Sequence, residues 1–120
     1  MPTIAVIGAN ADRSRFSNRC VRAYLQQGWT VYPVHPREEV VEGLPVYKSI
    51  ADVPEGHIDR VSVYLSAVFG LKVLPEFAAR GDIGEVMLNP GADDDIVVTR
   101  ARELGLNVVT GCALIALGAH

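Results

Sequence analysis

The sequence predicts an α/β fold in which a five-stranded parallel sheet lies between two layers of helices. Short apolar strands alternate with helical segments along the whole chain. The strands are rich in β-branched residues and too continuously apolar to leave one face in water, which is typical of a parallel sheet covered on both faces by right-handed crossovers. A chain of 120 residues without a linker is expected to form one domain over 1–120.

Each element has its own local signal. A helix is predicted from the candidate N-caps Ser17 and Asn18 to Gly28, a second over 71–80, and a third from Asp93 to Leu104. A turn at 43–45 and a short helix at about 49–53 occupy the connection after the second strand, and the apolar segment 113–119 follows the fifth. The strands are expected at 4–7, 30–34, 59–65, 84–89 and 106–110, which completes a three-layer Rossmann-like pattern.

Composition restricts the classes of function. A net charge of -3 gives no global attraction to nucleic acid, so an anion site has to be local. No apolar run is long enough for a membrane span, and the chain enters its first strand without a leader pattern, so a cytoplasmic protein is expected. Cys20 and Cys112 lie far apart, and His35, His57 and His120 are scattered, which predicts reduced thiols and no metal site.

The loop after the first strand is the first candidate site. The strand ends at the turn Gly8–Ala9–Asn10, and a basic loop with Arg13 and Arg15 leads to Ser17. Backbone N–H groups, a helix N-terminus and two guanidiniums favour a phosphate, so this is a predicted phosphate loop. Of the three glycines of a dinucleotide fingerprint only Gly8 is present, because position 10 is Asn and no third glycine follows at the expected spacing, which argues against hydride transfer. The alternative, that both arginines are solvated surface charges, stays open.

The end of the second strand carries the second candidate site, Val34–His35–Pro36–Arg37. An acidic residue usually meets a free ribose hydroxyl at this place. Here positive donors precede the acids, which suits a phosphorylated ribose, as in NADP or coenzyme A. Arg37 is the principal candidate, and His35 is equally compatible with an ordinary loop histidine.

Two further strand ends contribute candidates. Tyr64, Leu65 and Ser66, with Val68 and Phe69, could form a slot for adenine. The alternative is that Tyr64 belongs to the core. The run of three aspartates at 93–95 is expected to cap a helix and not to bind a metal, because consecutive residues point in different directions.

Several segments in order resemble the CoA-binding domain family, which occurs as small separate proteins and as the N-terminal domain of succinyl-CoA synthetase α subunits. These segments are VIGANADRSRFSN, VYPVHPR, GLPVYKSI, SVYLSAVF, LNPG and VVTGCALI, and together they span essentially the whole chain. His35 stands where the family usually has Asn, and Ser66 where the synthetase has proline.

The resemblance implies coenzyme A or an acyl-CoA as the ligand. By position it implies contacts to the CoA phosphates from the first loop, a phosphate contact from Arg37, nucleotide contacts from the third strand end, and a border of the pantetheine exit at the fourth. The complete set of candidate residues is Gly8, Ala9, Asn10, Arg13, Arg15, Ser17, Val34, His35, Arg37, Tyr64, Leu65, Ser66, Asn89 and Gly91.

No pairing of a nucleophile with a base is evident, and the synthetase's catalytic histidine lies in a second domain. The expected function is therefore a stand-alone CoA-binding module without chemistry of its own, with a homodimer as the candidate assembly and no nucleic acid or membrane partner. The alternatives are a small NADP-binding reductase and a partner-dependent acyl-CoA ligase component. A mixed disulfide between Cys112 and the CoA thiol is a further hypothesis.

Overall fold

A computed structural model describes residues 2–118, and it confirms the predicted fold class. Five strands form one parallel sheet, in the spatial order β2 (Thr30–Val34), β1 (Thr3–Ile7), β5 (Ile58–Val63), β6 (Ile83–Leu88) and β7 (Val108–Thr110). The end of the predicted C-terminal segment, and His120, lie outside the described residues. The elements in chain order are β1 Thr3–Ile7, α1 Phe16–Gln26, β2 Thr30–Val34, β3 Val40–Val41, β4 Leu44–Pro45, a 3-10 turn Ile50–Asp52, β5 Ile58–Val63, α2 Ala67–Arg80, β6 Ile83–Leu88, α3 Asp95–Glu103, β7 Val108–Thr110 and α4 Ala113–Leu117.

The alternation of side chains along β1 shows how the core is divided between the two faces of the sheet. Ile4 and Val6 pack with Val21 and Tyr24 of α1 and with α4. The intervening Ala5 and Ile7 pack on the opposite face, where α2 and α3 lie. Successive strand residues point to opposite faces, so a central strand buried on both sides has to be continuously apolar. This is why β1 reads as an unbroken apolar run.

The start of α1 differs from the prediction. Its N-cap is Arg15, without a side-chain capping bond, and Ser17 and Asn18 lie buried inside the first turn. The preceding loop is organised instead by Asp12, whose carboxylate accepts hydrogen bonds from the backbone N–H and hydroxyl of Ser14. The amide of Asn18 donates to the carbonyl of Asn10 and to Glu42, so it fastens the loop and does not cap the helix.

The connection after β2 contains a small hairpin that the sequence analysis missed. Strands β3 and β4 are antiparallel, and the residues between them, Glu42 and Gly43, both have positive φ values, of 50° and 78°. Two successive positive φ angles are the signature of a two-residue type I′ turn. The turn was predicted at 43–45, but it lies at Glu42 and Gly43, because Leu44 and Pro45 form β4.

Helix α2 begins at Ala67, four residues before the predicted segment 71–80. Gly70 lies inside it and packs against Val97 of α3, with 3.6 Å between the position of an added Cβ and a Val97 methyl. Pro75 consequently lies in the middle of the helix, on its exposed side. Because proline has no N–H, it cannot donate to the carbonyl four residues earlier in the helix.

The helix start after β6 agrees with the prediction of a capping role for the aspartates. Asp94 is the N-cap of α3, and its carboxylate accepts a hydrogen bond of 3.0 Å from the N–H of Ile96. Asp95 lies in the first turn, where a negative charge is favourable to the helix dipole. No helix within residues 2–118 is long and apolar enough to cross a membrane.

Gly84 provides a test of the strand contact between β5 and β6. A Cβ at this position would lie 2.6 Å from the carbonyl oxygen of Asp59. We expect Gly84→Ala to lower the free energy of unfolding by about 1–3 kcal/mol, because the strands must separate. Gly111→Ala, where no heavy atom lies within 4 Å, should change it by less than about 0.5 kcal/mol. Urea denaturation measures both, and equal effects would contradict the packing constraint.

Candidate functional site

A cavity of about 480 Å³ opens at the carboxyl edge of the sheet. It lies where β1, β2 and β5 end, on the face covered by α2. In the sheet β1 lies between β2 and β5, so the chain adds β2 on one side of β1 and β5 on the other. The cavity therefore lies at a topological switch point, which is where open α/β folds bind ligands. The lining residues are Ile7, Gly8, Val34, His35, Pro36, Arg37, Lys48, Ser49, Ile50, Leu65, Phe69, Lys72, Val73, Glu76 and Phe77.

A backbone bridge beside β2 places Lys48 at this cavity. Tyr47 pairs with Val34 in parallel, with hydrogen bonds of 2.9 Å from the His35 N–H to the Tyr47 carbonyl and 3.0 Å from the Tyr47 N–H to the Pro33 carbonyl. The residue after Tyr47 is therefore held next to the end of β2. As a result, Lys48 and Arg37 approach the same opening from two neighbouring segments.

One face of α2 forms the opposite wall. Its lining residues recur at the spacing i, i+3, i+4, i+7 and i+8, which is one stripe of an α-helix. Lys72 lies on this stripe with its ammonium nitrogen 5.6 Å from the centre of the Phe69 ring. Leu74, next to the stripe, is buried in the core. The members of the stripe are Phe69, Lys72, Val73, Glu76 and Phe77.

The cavity combines an apolar interior with a positive opening. Ile7, Val34 and Phe77 are buried in its floor, whereas Arg37, Lys48 and Lys72 are exposed at the rim. Glu76 is the single acidic residue in the lining, so the site carries a local positive charge in a protein whose net charge is -3. Both lysines of the chain belong to it. This arrangement suits a flat apolar group that carries an anionic substituent.

The candidates from the sequence divide into two groups. Gly8, Val34, His35, Arg37 and Leu65 line the cavity. The others lie outside it, and they are Ala9, Asn10, Arg13, Arg15, Ser17, Tyr64, Ser66, Asn89 and Gly91.

Two cations of the lining, Lys48 and Lys72, are not among the candidates from the sequence. Lys72 could have been found from its helical spacing with Phe69 and Glu76. Lys48 gives no local signal, because its position depends on the bridge between Tyr47 and Val34.

The first loop is closed by hydrogen bonds within the protein. The N–H groups of Gly8 and Ala9 both donate to the Val34 carbonyl, at 2.9 and 3.2 Å. The Ala11 N–H donates to the carboxylate of Glu38, at 2.8 Å. Carboxylates of the chain therefore hold positions that an anionic ligand could take.

The two arginines of this loop are also paired. Arg13 lies 3.5 Å from a carboxylate oxygen of Glu42, and Arg15 lies 4.0 Å from one of Asp12. Both guanidiniums are about two-thirds exposed. Hydrogen bonds from Ser14 hold the pKa of the Asp12 carboxyl below its usual range, so Asp12 remains charged at neutral pH. The ion pairs are weak ones at a surface, and a stronger anion could exchange with them.

Tyr64 packs on the opposite face of the sheet, with the cluster under α1 and α4. Its hydroxyl oxygen is buried without a hydrogen-bond partner, and burial raises the pKa of this phenol. Cys20 lies fully buried beside it, and burial raises the pKa of its thiol to about 11. The side chain of Tyr64 is thus part of the core, which was the alternative considered for it. Ser66 is the N-cap of α2.

Asn89 joins the end of β6 to α4. Its amide nitrogen donates to the Ser62 hydroxyl and the Val63 carbonyl, each at 2.9 Å, and its amide oxygen accepts from the Ala113 N–H at 2.8 Å. The side chain is 1% exposed. The polar atoms of the Asn89 side chain are therefore all bonded inside the protein.

Cys112, the N-cap of α4, is free and half-buried, and its reaction with the thiol of coenzyme A stays a prediction.

Comparison with known proteins identifies relatives across the chain. A family model described as a CoA binding domain matches residues 2–118. The chain is 35% identical over 89 residues to the acetate–CoA ligase (ADP-forming) II subunit alpha of Pyrococcus furiosus, covering 73% of this chain and 19% of that protein. It is 27% identical to an ADP-forming acetate–CoA ligase of Methanocaldococcus jannaschii, covering 74% and 12%. The chain thus spans a fifth or less of these curated relatives.

Solved structures agree with the family match. The structure of cell-free ID.343 from Thermus thermophilus superposes with a TM-score of 0.85 at 30% identity, covering 98% of this chain and 87% of that one. A dinucleotide forming acetyl-coenzyme A synthetase 1 from Ca. Korarchaeum cryptofilum, in complex with phosphate and ADP, superposes with a TM-score of 0.74 at 26% identity, covering 89% and 25%.

The bonds of Asn89 give a stability prediction. Asn89→Ala removes the acceptor of the buried Ala113 N–H and the donor to the Ser62 hydroxyl, and we expect a loss of about 2–3 kcal/mol in the free energy of unfolding. Asn107→Ala is the matched control, since its exposed amide makes one bond, to the Gly84 carbonyl, and its effect should be below about 0.5 kcal/mol. Chemical denaturation measures the free energy of unfolding of both variants. A small effect of Asn89→Ala would contradict a role of Asn89 in holding α4.

Proposed function

The chain belongs to the CoA-binding domain family, and from this premise we propose that it is a CoA-binding module that holds coenzyme A or an acyl-CoA without chemistry of its own. The observation that carries the proposal is the cavity at the ends of β1, β2 and β5, with an apolar interior and three cations at its rim. In this proposal the whole chain is one domain in the cytoplasm, and a homodimer is its candidate assembly.

The adenosine part of the ligand fits the cavity best. Its apolar walls suit adenine, because a purine ring is flat and gains from contact with aliphatic and aromatic side chains. Coenzyme A carries a phosphate on the ribose of this nucleotide, and Arg37, Lys48 and Lys72 are the groups available to meet it. The discrimination between coenzyme A and dephospho-CoA should therefore arise at these three side chains.

The rest of the ligand is proposed to follow the edge of the sheet past the first loop. Its pyrophosphate would meet the segment from Gly8 to Ser17, where Arg13 and Arg15 are exposed. The N–H of Ala11 is bonded to Glu38, so a phosphate that takes this N–H has to displace a carboxylate. The pantetheine would then leave near Asn89 and Gly91, of which Gly91 is exposed and Asn89 is buried.

Two alternatives remain. A small NADP-binding reductase also needs a site for a ribose phosphate, and a titration with NADP distinguishes it from a CoA module. A CoA-binding component of an acyl-CoA ligase is favoured by the ligase relatives, of which this chain spans only a part. That alternative predicts ligation of acetate to coenzyme A only when the missing parts are supplied by another chain.

Calorimetric titration tests the proposal directly. We expect coenzyme A to bind at least about tenfold more tightly than dephospho-CoA, NADP or NAD, because a charged contact at the ribose phosphate contributes at least about 1.4 kcal/mol. Lys48→Gln and Lys72→Gln should each weaken coenzyme A about tenfold and leave dephospho-CoA almost unchanged. Arg102→Gln, an exposed cation on α3 outside the cavity lining, is the matched control.

A labelling experiment reports on the same site without mutation. Both lysines of the chain line the cavity, so an amine-specific reagent has only these side chains and the N-terminus to modify. Bound coenzyme A should protect both lysines and leave the N-terminus reactive. Equal affinity for coenzyme A and dephospho-CoA, together with unprotected lysines, would contradict the proposed site.

Replacing Glu38 is expected to strengthen the binding of coenzyme A, whereas replacing either lysine weakens it. If its carboxylate competes with a ligand phosphate for the Ala11 N–H, Glu38→Gln should tighten coenzyme A by about two- to fivefold at low salt, and added salt should reduce the gain. Glu39→Gln changes the same charge at the next, exposed residue and should have a smaller effect. Weaker binding by Glu38→Gln would show that Glu38 supports the site and does not compete.

A further inference from the structure

The imidazole of His35 forms the bend that follows β2. Its Nδ1 accepts hydrogen bonds from two backbone N–H groups, that of Arg37 at 3.0 Å and that of Glu38 at 3.1 Å. The backbone of His35 is itself fixed by the bond of 2.9 Å to the Tyr47 carbonyl. Only an unprotonated Nδ1 can accept these bonds, so the neutral ring carries its proton on Nε2.

This one nitrogen holds the backbone of two charged residues, Arg37 and Glu38. Arg37 lines the cavity, and its direction depends on the bend that Nδ1 closes. Glu38 reaches across to the first loop, where it accepts the Ala11 N–H at 2.8 Å. A change at the imidazole therefore moves the cation proposed to meet the ribose phosphate and also the bond between the two loops.

We propose that His35 is a positioning residue of the CoA site, and that binding of coenzyme A depends on its unprotonated Nδ1. This inference rests on the proposed function. On protonation Nδ1 becomes a donor that faces two other donors, so the bend opens or the ring turns away, and Arg37 loses its position. Affinity should then fall as the solution becomes more acidic.

The charged groups that line the cavity with the imidazole are Arg37, Lys48 and Lys72, together with Glu76 on α2. Glu38 lies on the same loop as the imidazole. The ligand's own phosphate attracts an imidazolium, but it also loses charge near pH 6, so a control that separates the two titrations is needed.

Asparagine supplies that control. Its Oδ1 is separated from Cα by the same number of bonds as Nδ1 of histidine, and asparagine commonly accepts backbone N–H groups two and three residues ahead. It does not titrate. His35→Asn should therefore keep the bend at every pH, and His35→Ala should lose it at every pH. His57, an exposed histidine 3.2 Å from a carboxylate oxygen of Asp59, lies outside the cavity lining.

The experiment measures the dissociation constant of coenzyme A between about pH 8 and about pH 5.5 for the full chain and for His35→Asn, His35→Ala and His57→Asn. At the alkaline end we expect His35→Asn to match the unmodified protein within about twofold and His35→Ala to bind about fivefold more weakly. Across the acid range the unmodified protein and His57→Asn should lose about fivefold more affinity than His35→Asn. Nitrogen NMR of the unliganded protein should show the His35 proton on Nε2 at the alkaline end.

Three results would overturn the inference while the proposed function stands: equal pH dependence of the unmodified protein and His35→Asn, weak binding by His35→Asn at the alkaline end, or a proton on Nδ1 there. If the unmodified protein fails to bind coenzyme A at any pH, the proposed function fails as well. Thermal melting of each variant separates lost binding from lost folding.

Discussion

The turn at Gly8 holds three strand ends in one place, and the rest of the site depends on it. Its N–H and that of Ala9 are bonded to the Val34 carbonyl at the end of β2. On its other side, the position of a Cβ would lie 3.1 Å from the Tyr64 carbonyl at the end of β5. With a φ of 87°, this position favours glycine on backbone grounds as well. The three ends are therefore locked before any ligand is present.

The two faces of the sheet have different roles, since one carries contacts that support the fold and the other carries the candidate site. On the face of α1 and α4, Asn89, Ser62 and Ala113 form a buried hydrogen-bonded group that attaches α4 to the strands. On the face of α2, the ends of β1, β2 and β5 border an open cavity. Residues that are adjacent in sequence, such as Tyr64 and Leu65, accordingly serve different purposes. Both follow directly after β5, and the side chain of Tyr64 packs in the core under α1 and α4, whereas that of Leu65 lines the cavity.

Local charge differs from the charge of the whole chain. The protein is acidic overall, yet three cations and one acid line the cavity. In the first loop the balance is reversed, because Asp12, Glu38 and Glu42 neutralise the arginines and occupy N–H groups. An anionic ligand thus meets an open positive rim at one end and exchangeable carboxylates at the other. Such an arrangement favours a ligand whose charge is spread along its length, as it is in coenzyme A.

The sequence by itself determined the layer order, the five strands of the parallel sheet, the capping of α3 and the family, because periodicity, capping residues and ordered motifs are local properties. It also placed His35, Arg37 and Leu65 at the correct edge, since parallel strands all end on the same side. It could not place Ser17 or Asn18 correctly, because the loop before α1 is organised by Asp12 through Ser14, and Asn18 bonds to Glu42 of the distant hairpin. Only the tertiary structure brought Lys48 and Lys72 to the cavity. Lys48 is held there by the backbone bridge between Tyr47 and β2, and Lys72 lies on α2, which follows β5. Such contacts between distant segments leave no local pattern.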